Sequence, residues 1–168
     1  MVPYVYHPPV WPPQPLWART SQEGGASGEK PDLIQDIAKA ISGQINAIAC
    51  YEKLARLAPT EEERRQIMEI RQDEINHYRE FTRIHVRLTG QQPRQVTPEP
   101  CPDDYKEALE FALKDEQETV DFYLDIADKT KDPAIQKVFT RAAHDEQNHA
   151  VWFLYFWTKR RRCRCNHP

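Results

Sequence analysis

No stretch of this sequence is apolar for the roughly 20 residues that a membrane-crossing helix needs, so no membrane span is expected. The amino terminus lacks a basic segment followed by an apolar one, so no secretory signal is expected either. Neither sign of charge dominates. Lys and Arg number 23 and Asp and Glu 26, and a net charge of −3 gives no reason to expect a specific nucleic-acid partner. Cysteine is sparse: the four residues, at 50, 101, 163 and 165, do not resemble a disulfide framework, and a reducing, cytoplasmic setting is expected. Cys50 reads as a packing residue; Cys101, set among prolines, gives no reading. What is present, 29% charged and 39% hydrophobic residues in a chain of 168, suits one helix-rich domain with a sizeable core.

Prolines and caps divide the chain. Residues 1–31 form a tail, with prolines among Tyr4, Tyr6, Trp11 and Trp17, and then a Gly/Ser-rich linker. A first helix is predicted over 32–58, with Ile37, Ile41, Gln44, Ile48, Tyr51, Ala55 and Ala58 on its inner seam. Pro59 ends it. Thr60, with Glu63 three residues later, opens a second helix that runs to Thr89 and stops at Gly90. Pro93, Pro98, Pro100 and Pro102 forbid helix in the next segment. A 28-residue helix is about 42 Å long, and 13 extended residues reach about 43 Å, so this segment can cross the full bundle. It would then leave the second and third helices parallel. The third helix is predicted from Asp103 to Lys129, with Leu109, Leu113, Glu116, Val120, Tyr123, Ala127 and Thr130 inside. The fourth begins at Asp132-Pro133 and runs to Arg160. Residues 161–168 form a basic tail carrying Cys163 and Cys165. The expected architecture is an all-α four-helix bundle over 32–160, with a long crossover between the second and third helices.

Two of the inner seams contain residues that do not belong in an apolar core. The fourth helix reads Phe139, Ala142, Glu146, His149, Phe153, Phe156, in steps of three and four. The second reads Ile67, Ile70, Glu74, His77, Phe81, Ile84, Leu88. Glu74 and Glu146 lie 72 positions apart, as do His77 and His149, Phe81 and Phe153, and Tyr51 and Tyr123. Gln44 precedes Glu74 by 30 positions and Glu116 precedes Glu146 by the same 30. One hairpin has been used twice, and the bundle acquires a pseudo-twofold axis. Folding the two hairpins face to face brings Gln44, Glu74, His77, Glu116, Glu146 and His149 into one polar layer. A network of ion pairs without metal is the plainer account, but three Glu against two His leaves charge unmatched. A cation between them removes that penalty.

With this pattern the chain resembles the ferritin-like superfamily, in the style of rubrerythrins and bacterioferritins, over about residues 32–160. Bundles of that group take a Glu from each of two helices and Glu-x-x-His from each of the other two. The resemblance implies that Glu74, His77, Glu116, Glu146 and His149 bind two metal ions, with iron expected and manganese the alternative. It implies bridging roles for Glu74 and Glu146, one ion each for His77 and His149, and a terminal position for Glu116. Asp73 and Asp145 would orient the imidazoles of the opposite half, and Tyr51 and Tyr123 would hydrogen-bond carboxylates of the facing hairpin. Gln44 stands where the family has Glu; its carbonyl makes a weak ligand and leaves one metal position more open. His85 and His144 lie off the motif and read as ordinary side chains.

The activity implied is reduction of hydrogen peroxide or oxygen, or oxidation of ferrous ion; a catalase-like manganese site is the nearest variant. No pair of Cys-x-x-Cys motifs is present, so the electron-donating rubredoxin module of full-length rubrerythrins is missing. A second class of reading is a non-catalytic metal-binding or coat-type structural protein, with Gln44 marking weakened chemistry. A homodimer or larger homo-oligomer is expected, and the two tails suggest docking to a larger assembly or coat.

Overall fold

The computed structural model describes residues 29–162. The two expected tails lie outside them, apart from their inner ends, which are helical. Four helices follow in order: α1 (Glu29–Leu57), α2 (Glu61–Thr89), α3 (Tyr105–Lys129) and α4 (Pro133–Arg162). The first begins three residues inside the expected tail. Pro31 falls in its first turn, where a missing N–H is tolerated.

The caps act as the sequence predicts. The Thr60 hydroxyl accepts from the Glu63 N–H at 3.2 Å, and Gly90, at φ 70°, donates its N–H back to the Val86 carbonyl. Asp104 takes the N-cap of α3 by accepting from the N–H groups of Lys106 and Glu107. The Glu63 carboxylate is fully buried and accepts from the Tyr105 hydroxyl at 2.7 Å, which ties the start of α2 to the start of α3.

Side-chain pairs give the helix directions. Tyr51 reaches Glu116 and Gln44 reaches Tyr123, so α1 and α3 are antiparallel. His77 meets Asp145 and His149 meets Asp73, so α2 and α4 are antiparallel too. With α1 and α2 a hairpin, pinned where Arg71 donates to the Ile48 carbonyl, α2 and α3 run parallel. The crossover makes this possible. Pro93 to Val96 lie near Ile41 and Ile45, the Glu99 N–H donates to Asn46 at 3.0 Å, and Lys53 pairs with Asp103. The segment follows α1 from one end of the bundle to the other.

The core has two apolar halves. One contains Ile37, Ile41, Phe81, Tyr123 and Phe139, with Phe81 stacked on Phe139 at 4.3 Å. The other contains Tyr51, Leu54, Ile67, Ile70, Leu109, Phe153 and Phe156. Between them lie Gln44, Glu74, His77, Glu116, Glu146 and His149, all buried. All six seam residues predicted for α4 are buried. Leu88 is a correction: it lies in the last turn of α2 and is exposed. Ile48, Ala58, Leu113 and Val120 are only half-buried. Ala40, Ala47, Cys50 and Leu54 widen the buried face of α1, which packs against two helices and the crossover.

The cysteine reading also needs correction. Cys50 does not merely pack; it is disulfide-bonded to Cys101, with Cα atoms 5.2 Å apart. A separation of 51 residues carries no pairing signal, and only the crossover's path along α1 brings the two together. Closing so long a loop is expected to add about 2–4 kcal/mol to the stability of the chain. The guanidinium midpoint of Cys50→Ala/Cys101→Ala should fall accordingly, and an unchanged midpoint would show that the neighbouring polar contacts already fix the crossover.

Candidate metal centre

Each helix contributes to the polar layer because a seam in steps of three and four keeps returning to the bundle axis. On α2 and α4 the Glu and His three residues apart lie one above the other on the inner face. Glu74 Oε1 is 3.0 Å from His149 Nδ1, and Glu74 Oε2 is 3.3 Å from His77 Nδ1. Glu146 mirrors this: Oε2 is 3.1 Å from His149 Nδ1 and Oε1 is 3.2 Å from His77 Nδ1. Each of these two carboxylates therefore offers one oxygen to each imidazole. Glu116 Oε1 lies 3.7 Å from His149 Nδ1 and accepts from the Tyr51 hydroxyl at 2.6 Å.

The far nitrogens of the rings are held from the opposite half. Asp145 Oδ2 lies 3.4 Å from His77 Nε2, and Asp73 Oδ2 lies 3.4 Å from His149 Nε2. A ring that donates from Nε2 turns the lone pair of Nδ1 towards the centre. Arg141 in turn pairs with Asp145 at 2.9 Å.

Gln44 breaks the symmetry. Its Nε2 donates to the Tyr123 hydroxyl at 2.7 Å and lies 3.5 Å from Glu146 Oε1, a correction for Tyr123: it meets this amide and not the expected carboxylate, because position 44 is not an acid. Its Oε1 is buried without a hydrogen-bond partner, and Glu74 Oε1 has only its ion pair with His149. Both residues line a cavity of about 40 Å³ between α1 and α3. Buried oxygens left unpaired beside such a space are rare, and they fit a cation.

Glu74, Glu116, Glu146 and His149 can each turn a ligand atom to within 4.8 Å of the others, and His77 stands beside them against Glu74 and Glu146. Gln44, Glu74, His77, Glu116, Glu146 and His149 thus share one layer, with Asp73, Asp145 and Tyr51 bonded to it. His85 and His144 stay apart: His85 Nδ1 faces the Gln91 carbonyl at 3.1 Å, and His144 is exposed.

The cluster's charges show what it does without a cation. Burial by itself would lower the pKa of His77, but hydrogen bonds with Glu146 and Glu74 outweigh it and raise the ring to about 10. His149 is likewise raised, burial being overcome by Glu116, Glu146 and Glu74. Burial, then repulsion from Glu146 and Glu74, pushes Glu116 well up. Glu146 goes down, because its bonds to both imidazoles and to Glu116 exceed the burial penalty. The layer neutralises itself with protons that a metal ion would displace.

One group was missed in the sequence. Asp115, half-buried in the cavity wall, is raised to about 6 by burial and then by Glu146, Glu74, Glu118 and Glu99. It precedes Glu116 as Gly43 precedes Gln44, so comparing the two repeats one position off the seam would have exposed it.

The Rubrerythrin family model matches residues 107–164. The chain is 53% identical over 132 residues to the uncharacterized protein YhjR of Bacillus subtilis (strain 168), covering 79% of this chain and 91% of that protein. The fold is similar to that of a hypothetical protein from Pyrococcus furiosus, with a TM-score of 0.65 at 19% identity over 75% of this chain and 88% of that one. It is also similar to the bacterioferritin of Desulfovibrio desulfuricans, with a TM-score of 0.65 at 19% identity over 81% of this chain and 84% of that one.

A pH dependence follows from the raised imidazoles. A ring whose pKa rises from 6.5 to about 10 on folding stabilises the fold fully below 6.5 and loses that contribution as pH climbs towards 10. The melting temperature of metal-free protein is therefore expected to fall across this window, and protein loaded with Zn²⁺ should fall much less. Thermal circular dichroism over a pH series reads both; equal slopes would count against ring protons as the cluster's counter-charge.

Proposed function

We propose, since this chain belongs to the rubrerythrin type of ferritin-like proteins, that its polar layer holds two metal ions, iron being the first candidate, and serves redox chemistry on peroxide, oxygen or ferrous ion. The observation that carries this is the way Glu74 and Glu146 each divide their two oxygens between His77 and His149. Such a pair of carboxylates suits two ions held side by side. Glu116 and His149 would complete one position, His77 and the Gln44 carbonyl the other. The Desulfovibrio desulfuricans bacterioferritin that shares this fold has a diiron site, which supports iron. Manganese remains compatible with the same oxygen-rich set.

A pair of redox-active ions, when bound, supplies two electrons in single steps, which matches an acceptor such as peroxide. The protein's part is positional and electrostatic. Asp73 and Asp145 fix the rings, Tyr51 holds Glu116, and the two apolar halves keep bulk water from the layer. Reduction of peroxide to two waters also consumes two protons. With no rubredoxin-like module in this sequence, electrons would come from an external reductant or from ferrous ion itself. A homodimer or larger homo-oligomer is the proposed state. A non-catalytic, coat-type metal-binding role is the second reading, and the amide at position 44, where an acid would complete the ligand set, favours it.

Elemental analysis of natively expressed protein is expected to give about two ions per chain, followed by bleaching of the anaerobically reduced protein with peroxide. One inert ion or none would turn the decision to the structural role. Gln44→Glu should raise occupancy towards two if wild type is under-filled. Asp73→Asn and Asp145→Asn should each weaken metal affinity by about 10- to 100-fold, read by competition with a chelator. Unchanged affinity would show that the aspartates do not act through the rings.

A further inference from the structure

We infer that the cavity between α1 and α3 is the inlet by which a divalent cation reaches the centre as substrate, with Asp115 at its mouth as the residue that attracts it. The inference rests on the metal-centre reading above and specifies the substrate class for it.

The wall of the cavity follows the repeat. Gly43 matches Asp115, Gln44 matches Glu116, and Ala47 matches Thr119, each pair 72 positions apart. Deep in the cavity the two sides are near equivalents. Elsewhere on the wall they are not: α3 presents half-buried Asp115 and Thr119, whereas α1 presents exposed Gly43 and buried Ala47. The passage has a polar, acidic wall facing a bare one.

Packing does not explain the bare wall. Gly43 is exposed in mid-helix, and a Cβ placed there would meet nothing within 4 Å. Glycine in a helix interior is less favourable than alanine. No neighbour needs the space that this glycine leaves, so its effect is to keep the mouth wide.

Charge points to the occupant. Among the described residues no Lys, Arg or His pairs with Asp115; its electrostatic neighbours are Glu146, Glu74, Glu118 and Glu99. Glu99 is held on this side by the bond from its N–H to Asn46 on α1. A half-buried carboxylate facing other carboxylates attracts a cation and does little for a neutral molecule. The same cavity is lined by buried Gln44, whose Oε1 is an unpartnered oxygen on a side chain 2% exposed, and by buried Glu74. A dehydrating cation would thus pass from Asp115 to a neutral carbonyl and then to the carboxylates.

Anaerobic uptake of Co²⁺ by the metal-free full-length protein, followed by its visible absorption in a stopped-flow instrument, tests this without turnover. Asp115→Asn should slow uptake about three- to tenfold at low ionic strength. The difference should shrink in salt. Gly43→Leu, which fills the mouth, should slow uptake at every ionic strength. Asp128→Asn, the same charge change on the exposed far end of α3, should match wild type. Should Gly43→Leu lose its helical signal, Thr119→Leu obstructs the same passage from the other wall. Wild-type rates in Asp115→Asn or in the folded obstructed variant overturn the inference. If wild type itself binds no Co²⁺, the metal-centre reading fails, and the inlet fails with it.

Discussion

The structure depends on how much charge the bundle buries in one layer. Three carboxylates and two imidazoles sit between two apolar halves, with a small cavity beside them. An unpaired ion in such a place costs several kcal/mol, so every group must find a counter-charge. The imidazoles supply part of it by holding protons well above their usual range. The aspartates behind them, and Tyr51 beneath Glu116, complete a network that spans all four helices. The hydrophobic seams on either side bring the helices together; the polar layer sets their register, since slipping one helix by a turn would strand a charge.

The layer was legible in the sequence for this same reason. Charged residues on an inner seam are costly, and finding Glu74-x-x-His77 and Glu146-x-x-His149 at matching registers left few explanations. The contacts between halves came from the family resemblance: Asp73 and Asp145 do meet the imidazoles of the opposite half and Tyr51 does meet a carboxylate, whereas Tyr123 meets the Gln44 amide. Helix ends were readable where a cap had a mechanism, as at Thr60 and Gly90.

What escaped the sequence depended on path rather than period. The Cys50–Cys101 bond forms because a proline-rich segment follows α1, and nothing in the spacing of the cysteines records that route. Asp115 lies one residue off the seam, where a helical pattern assigns a charged side chain to solvent. Leu88 was assigned inward because the three-four periodicity runs on into the last turn of α2, where the side chain is exposed.

The crossover has a further consequence. Each hairpin carries half of the polar layer, and the hairpins meet through residues related by the repeat. The molecule is in effect a dimer of similar halves joined by a tether. Such a tether gives each half a partner at an effective concentration on the order of millimolar, which no longer depends on how much protein is present. Freed from the need to find an identical mate, the halves can diverge, and an amide at position 44 opposite an acid at position 116 is a difference that a true symmetric dimer could not contain.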